Sequence, residues 1–239
     1  MTQRPTRIGF LVPPGNPTVE PEMMRLAPSG VTVHFTRMVA HGEAGAHAGQ
    51  EERNRTQIEH LDENVALLAM VKPAVIVMAH TASSYTLGRE GEAKLVERLE
   101  RSSGIPFITA FGSVIRALAH LGARRVALAT PYSGEATLRS KAHLEAHGLS
   151  VVAWGELEDV KNIYDETPER AYALALSLDV PDAQAIFISG VGMPSIDVLD
   201  RLERELGKPV ISSASAMMWN ALRVANIRTP IAGYGGLLS

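Results

Sequence analysis

The sequence predicts an α/β protein built from two Rossmann-like lobes, each with a four-stranded parallel sheet, related by a pseudo-two-fold axis with the active site between them. Three observations predict it. Short β-branched runs alternate with longer amphipathic stretches along the whole chain, the pattern of parallel sheets flanked by helices. The most apolar runs are nearly continuous rather than alternating, as in strands covered on both faces. Three segments of the first half also recur in the second half in the same order, which points to a duplicated unit rather than to the strand–Gly-x-Pro–strand echoes that any α/β chain can offer.

In chain order, the expected strands are Ile8–Val12, Val31–Arg37, Ala74–Ala79, Phe107–Ala110, Arg125–Ala129, Ser150–Ala153, Ala185–Ser189 and Val210–Ser212. The expected helices are Val19–Leu26, Glu52–Val71, Glu90–Ser102, Ser113–Leu121, Glu135–His147, Pro168–Leu178, Ser195–Leu206 and Ala214–Ala225. Pro168 suits a first helical turn, where its missing N–H has no partner to lose. Gly104, Gly122, Gly148 and Gly207 stand where helices should stop.

The recurring segments are Arg7–Pro13 with Arg125–Pro131, Ala74–His80 with Gln184–Gly190, and Gly104–Thr109 with Gly207–Ser212. The division they suggest is residues 1–112 plus 214–239 for one lobe and 113–213 for the other, with the last helix returning to the first lobe. Ligands of open parallel sheets bind beyond the carboxyl ends of the strands. The informative loops are therefore Pro13–Thr18, His80–Thr86, Pro131–Gly134 and Gly190–Ser195.

Composition narrows the function classes. The chain has 239 residues, enough for two small cores. A formal net charge of −3, from 23 basic and 26 acidic residues, gives no reason to expect a nucleic-acid partner. No apolar run approaches the roughly 20 residues that span a bilayer, and the start lacks a signal-peptide core. A cytoplasmic location with no membrane partner is the expectation. Cysteine is absent, which excludes disulfides, thiolate metal sites and thiol catalysis. His41 and His47 lie in a glycine-rich stretch with no third ligand in view, so a mobile solvated loop, either a lid over the cleft or a plain surface loop, is expected there, and no metal. No complete phosphate-binding fingerprint occurs, so no nucleotide or other cofactor is expected.

The loops carry the candidate chemistry. Asn16, in Val12-Pro-Pro-Gly-Asn-Pro-Thr18 with Pro14 beside it, can donate two hydrogen bonds to a carboxylate or simply make a turn. Thr18 is placed to cap the next helix, and Glu20 and Glu22 to complement its dipole. His80-Thr81-Ala-Ser83-Ser-Tyr85 is uncharged and dense in hydroxyls, a natural anion cradle with a histidine at its mouth. His80 there is either a proton carrier or a strand-end histidine bonded to backbone. Tyr132 offers a phenol to an oxyanion, or packs. Asn162 is a second neutral amide or a plain loop residue. Gly190 and Gly192, flanking Val191, allow close backbone approach to a ligand.

Taken together, these loops resemble the aspartate/glutamate racemase superfamily, in its maleate cis-trans isomerase and arylmalonate decarboxylase branch, over essentially the whole chain. The resemblance rests on Val12-Pro-x-x-Asn16-x-x-Val-Glu-Pro-Glu22, Val75–Ser84, Arg124-Arg-Val-Ala-Leu-Ala-Thr-x-Tyr132, Ile188-Ser-x-x-x-Met-Pro-Ser195 with Gly207–Ser213, and Gly233-Tyr-Gly-Gly-Leu237. It implies a cofactor-independent enzyme acting on a small di-acid or amino acid. It also implies carboxylate-binding roles for Asn16, Tyr132, Asn162 and Thr81. His80 falls on the family's first catalytic cysteine and Gly190 on the second. Relatives in the decarboxylase branch carry glycine at the first position and a hydroxyl after the threonine, where this chain has Ala82. Two-cysteine racemisation and cysteine-addition isomerisation are therefore chemically closed to it.

The expectation is an isomerase or lyase of a small carboxylate or dicarboxylate, maleate- or malonate-like, working as a homodimer or higher homo-oligomer. His80, Thr81 and Tyr132 are the catalytic candidates. Pro14, Asn16, Ser83, Asn162, Gly190 and Val191 are the substrate-binding ones. The alternatives are a non-catalytic carboxylate-binding homologue and an accessory enzyme of compatible-solute (ectoine-type) degradation.

Overall fold

The computed structural model describes residues 4–41, 49–132 and 134–239, without the side chains of residues 50 and 51. The stretch 42–48, where most of that expected loop falls, and Ser133 lie outside the described residues.

Strands β1 (Thr6–Val12), β2 (Val31–Arg37), β3 (Val75–Met78) and β4 (Phe107–Thr109) form one parallel sheet in the order β2-β1-β3-β4. Strands β5 (Arg125–Thr130), β6 (Ser150–Glu156), β7 (Ala185–Ile188) and β8 (Val210–Ser212) form a second, ordered β6-β5-β7-β8. The helices are α1 (Val19–Leu26), α2 (Gln50–Glu59), α3 (Leu61–Ala69), α4 (Thr81–Ser103), α5 (Ala110–His120), α6 (Glu135–Ala146), α7 (Pro168–Ser177), α8 (Ile196–Leu206) and α9 (Ser213–Val224).

The two sheets repeat each other down to single hydrogen bonds. Ala74 N–H donates to Arg7 O and Gln184 N–H to Arg125 O, each at 2.8 Å. Ala79 pairs with Leu11 as Ser189 pairs with Ala129. Glu100 accepts from the Phe107 N–H and Glu203 from the Val210 N–H, at 2.9 and 3.0 Å, so each lobe uses one helical glutamate to tie down the start of its edge strand.

One core runs through both lobes. Phe10 of β1, Phe111 of α5, Phe187 of β7 and Met217 of α9 are fully buried in a single cluster. Burying each such side chain contributes roughly 1.5–3 kcal/mol. Phe111 meets Phe187 edge-on at 6.2 Å and His143 of α6 at 4.5 Å, so α5 reaches the second sheet. In return α9 packs on α5 and reaches α1 and β3. The outer faces carry separate clusters, with Leu11, Ile76, Leu61 and Leu99 on one side and Ile186, Ile188, Leu199 and Leu202 on the other.

Two helix expectations are corrected. The single helix Glu52–Val71 is two, α2 and α3, separated at His60 (φ −95, ψ 9). Polar side chains compete for the ladder there. Thr56 Oγ1 donates back to Glu52 O, and Asn64 Nδ2 to His60 O. The loop His80–Thr86 is mostly helix. The chain turns helical at Thr81 and runs to Ser103, broken at Gly88 (φ 69, ψ 170). A dense run of serine and threonine reads as loop by composition, but here His80 in extended conformation starts a helix immediately after β3.

Candidate active site

The carboxyl ends of β1, β3, β5 and β7 converge between the lobes, and the N-terminus of α4 stands at the centre. The N-cap of α4 is His80, whose side chain makes no capping hydrogen bond, so the amide N–H groups there keep their positive end of the helix dipole. The equivalent start in the second lobe is closed. Glu22 reaches across from α1 to accept the Ser195 and Ile196 N–H groups at 2.8 and 3.2 Å. The cleft is thus one-sided, with the helix N-terminus of the first lobe uncapped among the described residues and that of the second plugged by a carboxyl.

Glu22 was expected to serve its own helix; its partners lie 173 residues away instead. Burial pushes its carboxyl up to about 7 against the lowering effect of those two amides, and Oε2 is buried without a partner. Thr18 does not cap α1 with its side chain. Its Oγ1 donates to Gly192 O at 3.0 Å, while Asn16 Oδ1 accepts the Thr18 and Val19 N–H groups at 2.8 and 3.0 Å. Asn16 is fully buried and spends one amide hydrogen on Val191 O at 3.1 Å. One N–H remains for a ligand. Pro14 is exposed, and its carbonyl, with those of Pro13 and Asn16, accepts from Arg37, which also pairs with Glu20.

His80 is buried, with Nδ1 2.8 Å from Ser83 Oγ. Burial pushes its imidazole down to about 4, and the Arg53 guanidinium nearby adds to the shift. At neutral pH the ring is therefore uncharged. Beside it stands a group of hydroxyls. Thr81 Oγ1 and Tyr85 Oη are buried and complete no hydrogen bond of good geometry among the described residues, yet both lie close enough to the Tyr132 phenol to alter its titration. Burial raises Tyr132, and raises Tyr85 well above the ordinary phenol value.

Gly190 is in the left-handed region (φ +95), and a Cβ there would meet Pro131 Cγ at 2.9 Å and Tyr132 Oη at 3.5 Å. The proline fills the space a side chain would need. At Gly192 a Cβ would strike the Tyr164 ring at 2.9 Å. Asn162 is half-buried and caps the 3-10 turn Ile163–Asp165 by accepting the Tyr164 N–H at 3.0 Å. Tyr164 is pushed up to about 12, by burial first and then the Tyr132 phenol, against the opposing charges of Arg53 and Arg37.

A family model described as arylmalonate decarboxylase matches residues 8–238. The chain belongs to the arylmalonate decarboxylase family. The maleate isomerase of Nocardia farcinica (strain IFM 10152) is 31% identical over 97% of this chain and 95% of its own length. The arylmalonate decarboxylase of Bordetella bronchiseptica is 29% identical over 91% of this chain and 90% of its own. A solved structure of a cysteine-to-serine variant of the Nocardia farcinica maleate cis-trans isomerase, with a covalently bound succinylcysteine intermediate, superposes with a TM-score of 0.87 at 29% identity, covering 98% of each chain. The present chain holds no cysteine at all.

Sequence reasoning placed His80, Thr81, Tyr132, Asn16 and Gly190 in the cleft, and the structure brings these residues and Val191 to one region. It missed Arg53, Tyr85 and the role of Glu22. Tyr85 had a signal, four residues after Thr81 on what proves to be a helix face. Arg53 had none.

Proposed function

We propose that this chain is a cofactor-independent isomerase or lyase acting on a small carboxylate or dicarboxylate, maleate- or malonate-like, with His80 in the place of the family thiol. The observation that carries the reading is the pairing of an uncapped helix N-terminus with a buried, neutral imidazole at its mouth. The α4 amides would hold one substrate carboxylate, helped by the remaining Asn16 N–H and by the field of Arg53. Tyr132 would donate to the carboxylate of the bound substrate and on into the enolate, and Thr81 and Tyr85 to the enolate oxygens as charge develops. Donors of this kind each supply roughly 3 kcal/mol of transition-state stabilisation.

The succinylcysteine intermediate of the Nocardia farcinica isomerase needs a cysteine thiol, which this chain lacks. Proton chemistry on one face remains. In decarboxylation the bond to one carboxylate breaks, CO2 leaves, and its electron pair becomes the enolate of the other carboxylate. That enolate then takes a proton at carbon. An anionic substrate beside His80 raises the imidazole from its depressed resting value and favours its protonated form. The sealed second position at Gly190 favours lyase chemistry over a two-sided exchange. The same sealing also suits the second reading, a carboxylate-binding homologue without turnover.

A screen of malonates, maleate and amino-acid derivatives by proton NMR in deuterated water tests both. The expected result is turnover with stereospecific deuterium at the reacting carbon, lost in His80→Ala while a substrate analogue still binds. Binding without turnover across the whole screen would favour the non-catalytic reading.

A further inference from the structure

Behind the cleft, on the far side of α4, three side chains converge that the reaction does not use. Glu92 of α4, His143 of α6 and His147 just past the end of α6 each offer a ligand atom, all within 4.8 Å of one another. His143 and His147 are four residues apart, so they share one helix face, and their rings are 5.0 Å apart. Glu92 is held from behind. Its Oε1 accepts from Ser84 Oγ at 2.6 Å and from Thr109 Oγ1. That leaves Oε2, which stands 3.4 Å from His143 Nε2. This is long for a hydrogen bond and matches the roughly 3.4 Å between two ligands about 2.0–2.1 Å from a tetrahedral zinc ion.

A second observation is independent of that spacing. His147 Nε2 is buried and has no hydrogen-bond partner among the described residues. A cavity of about 400 Å³, lined by Arg89, Glu92, Thr109, His147 and Asn220, borders the cluster and would give an entry path and room for a water as fourth ligand. The C-terminal end of α6 adds its negative dipole end. The cationic groups nearby are Arg89, which hydrogen-bonds Ala146 O at 3.0 Å, and Arg116 on the cavity wall. Glu97 and Glu100 line the same cavity and offset them.

We infer that Glu92, His143 and His147 form a site for a divalent transition-metal ion of the zinc class, bridging α4 of the first lobe to α6 of the second. Two imidazoles and one carboxylate suit zinc and disfavour magnesium, which prefers six oxygens. The hydroxyls of Ser84 and Thr109 orient the carboxylate, as outer-shell partners of metal ligands do. The ion would act as a clamp between lobes, set apart from the proposed chemistry at His80.

The test is calorimetric titration of the full chain, stripped with EDTA, with zinc and with magnesium, together with the visible spectrum of the cobalt(II) form. The expected outcome is one zinc per chain, no saturable magnesium binding, and a tetrahedral cobalt spectrum. Both His147→Ala and Glu92→Gln should weaken zinc by roughly tenfold or more, and His147→Ala should abolish the cobalt spectrum. His147 sits at a half-exposed helix end, so that variant is expected to fold even if Glu92→Gln does not. A His41→Ala/His47→Ala variant should bind zinc like the parent. Absence of saturable zinc binding, or zinc affinity unchanged in His147→Ala, would overturn the site.

Discussion

His80 and Glu22 illustrate how one buried cleft pushes two titrations in opposite directions. Burial lowers His80 to about 4 from 6.5, so the unfolded chain binds more protons between those values. This contribution to stability is present above pH 6.5 and is lost as pH falls toward 4. Burial raises Glu22 to about 7 from 4.5, so the folded chain binds more protons. That contribution is present below pH 4.5 and is lost as pH rises through 7. Each spans roughly 3 kcal/mol, and across their shared window they oppose. Glu22→Gln should therefore expose the histidine, with stability climbing as pH rises from 4 to 6.5. His80→Ala should show the reverse slope between 4.5 and 7. Urea titrations at several pH values measure both, and parallel curves for the two variants would count against these environments. In catalysis, His80→Ala should lower kcat by about 10² to 10⁴ with little effect on analogue binding. Tyr132→Phe should weaken binding and turnover together. Steady-state kinetics from pH 5 to 9 separates the two patterns. The sequence pointed to His80, Thr81 and Tyr132 because a residue directly after a buried strand has a known place. Glu22 and Glu92 were not legible. Each reads as an ordinary helix-surface acid until folding brings its partners, 173 and 51 residues away, against it.

At the scale of elements, all eight expected strands are present, because unbroken apolar runs leave little choice. The failure lies at α4, whose first turn is built from the residues most often found in loops. Its bend is set by Gly88, at φ 69 and ψ 170 with open space where a Cβ would stand. The obstacle to Gly88→Ala is thus backbone strain alone. The substitution should cost about 1–3 kcal/mol, measured by denaturant unfolding, and it should disturb the register between Ser84 and Glu92, which sit on either side of the bend. A neutral Gly88→Ala would mean that the two halves of α4 can join straight without loss. A comparable logic governs the start of α1. Asn16 Oδ1 caps it while Nδ2 faces a carbonyl of the other lobe. Asn16→Asp would set an acceptor against Val191 O and bury a charge, with an expected cost of at least about 2 kcal/mol by thermal or urea denaturation.

Across the whole molecule, the repeated strand order was legible from three recurring segments, and the equivalent hydrogen bonds at Ala74 and Gln184 show the two sheets repeating each other. We propose the lobe division 1–112 plus 214–239 and 113–213 on the exchange of α5 and α9 between the sheets. What the repeats could not reveal is how far the two halves have diverged where they meet. One β–helix junction is open and carries a histidine; its counterpart is plugged by Glu22 and roofed by Pro131. That roof bears on the history open to the protein. A thiol at position 80 needs only a change of side chain, because the backbone there is extended (φ −149, ψ 108). A thiol at position 190 needs Pro131 to give way first, and then a left-handed backbone to accept a Cβ. Gly190→Cys introduced alone should fold poorly, and Pro131→Ala introduced beforehand should soften the penalty. The order in which substitutions arrive would then decide which thiol chemistry is reachable, and on this scaffold the first lobe is the side where a single replacement could install a nucleophile.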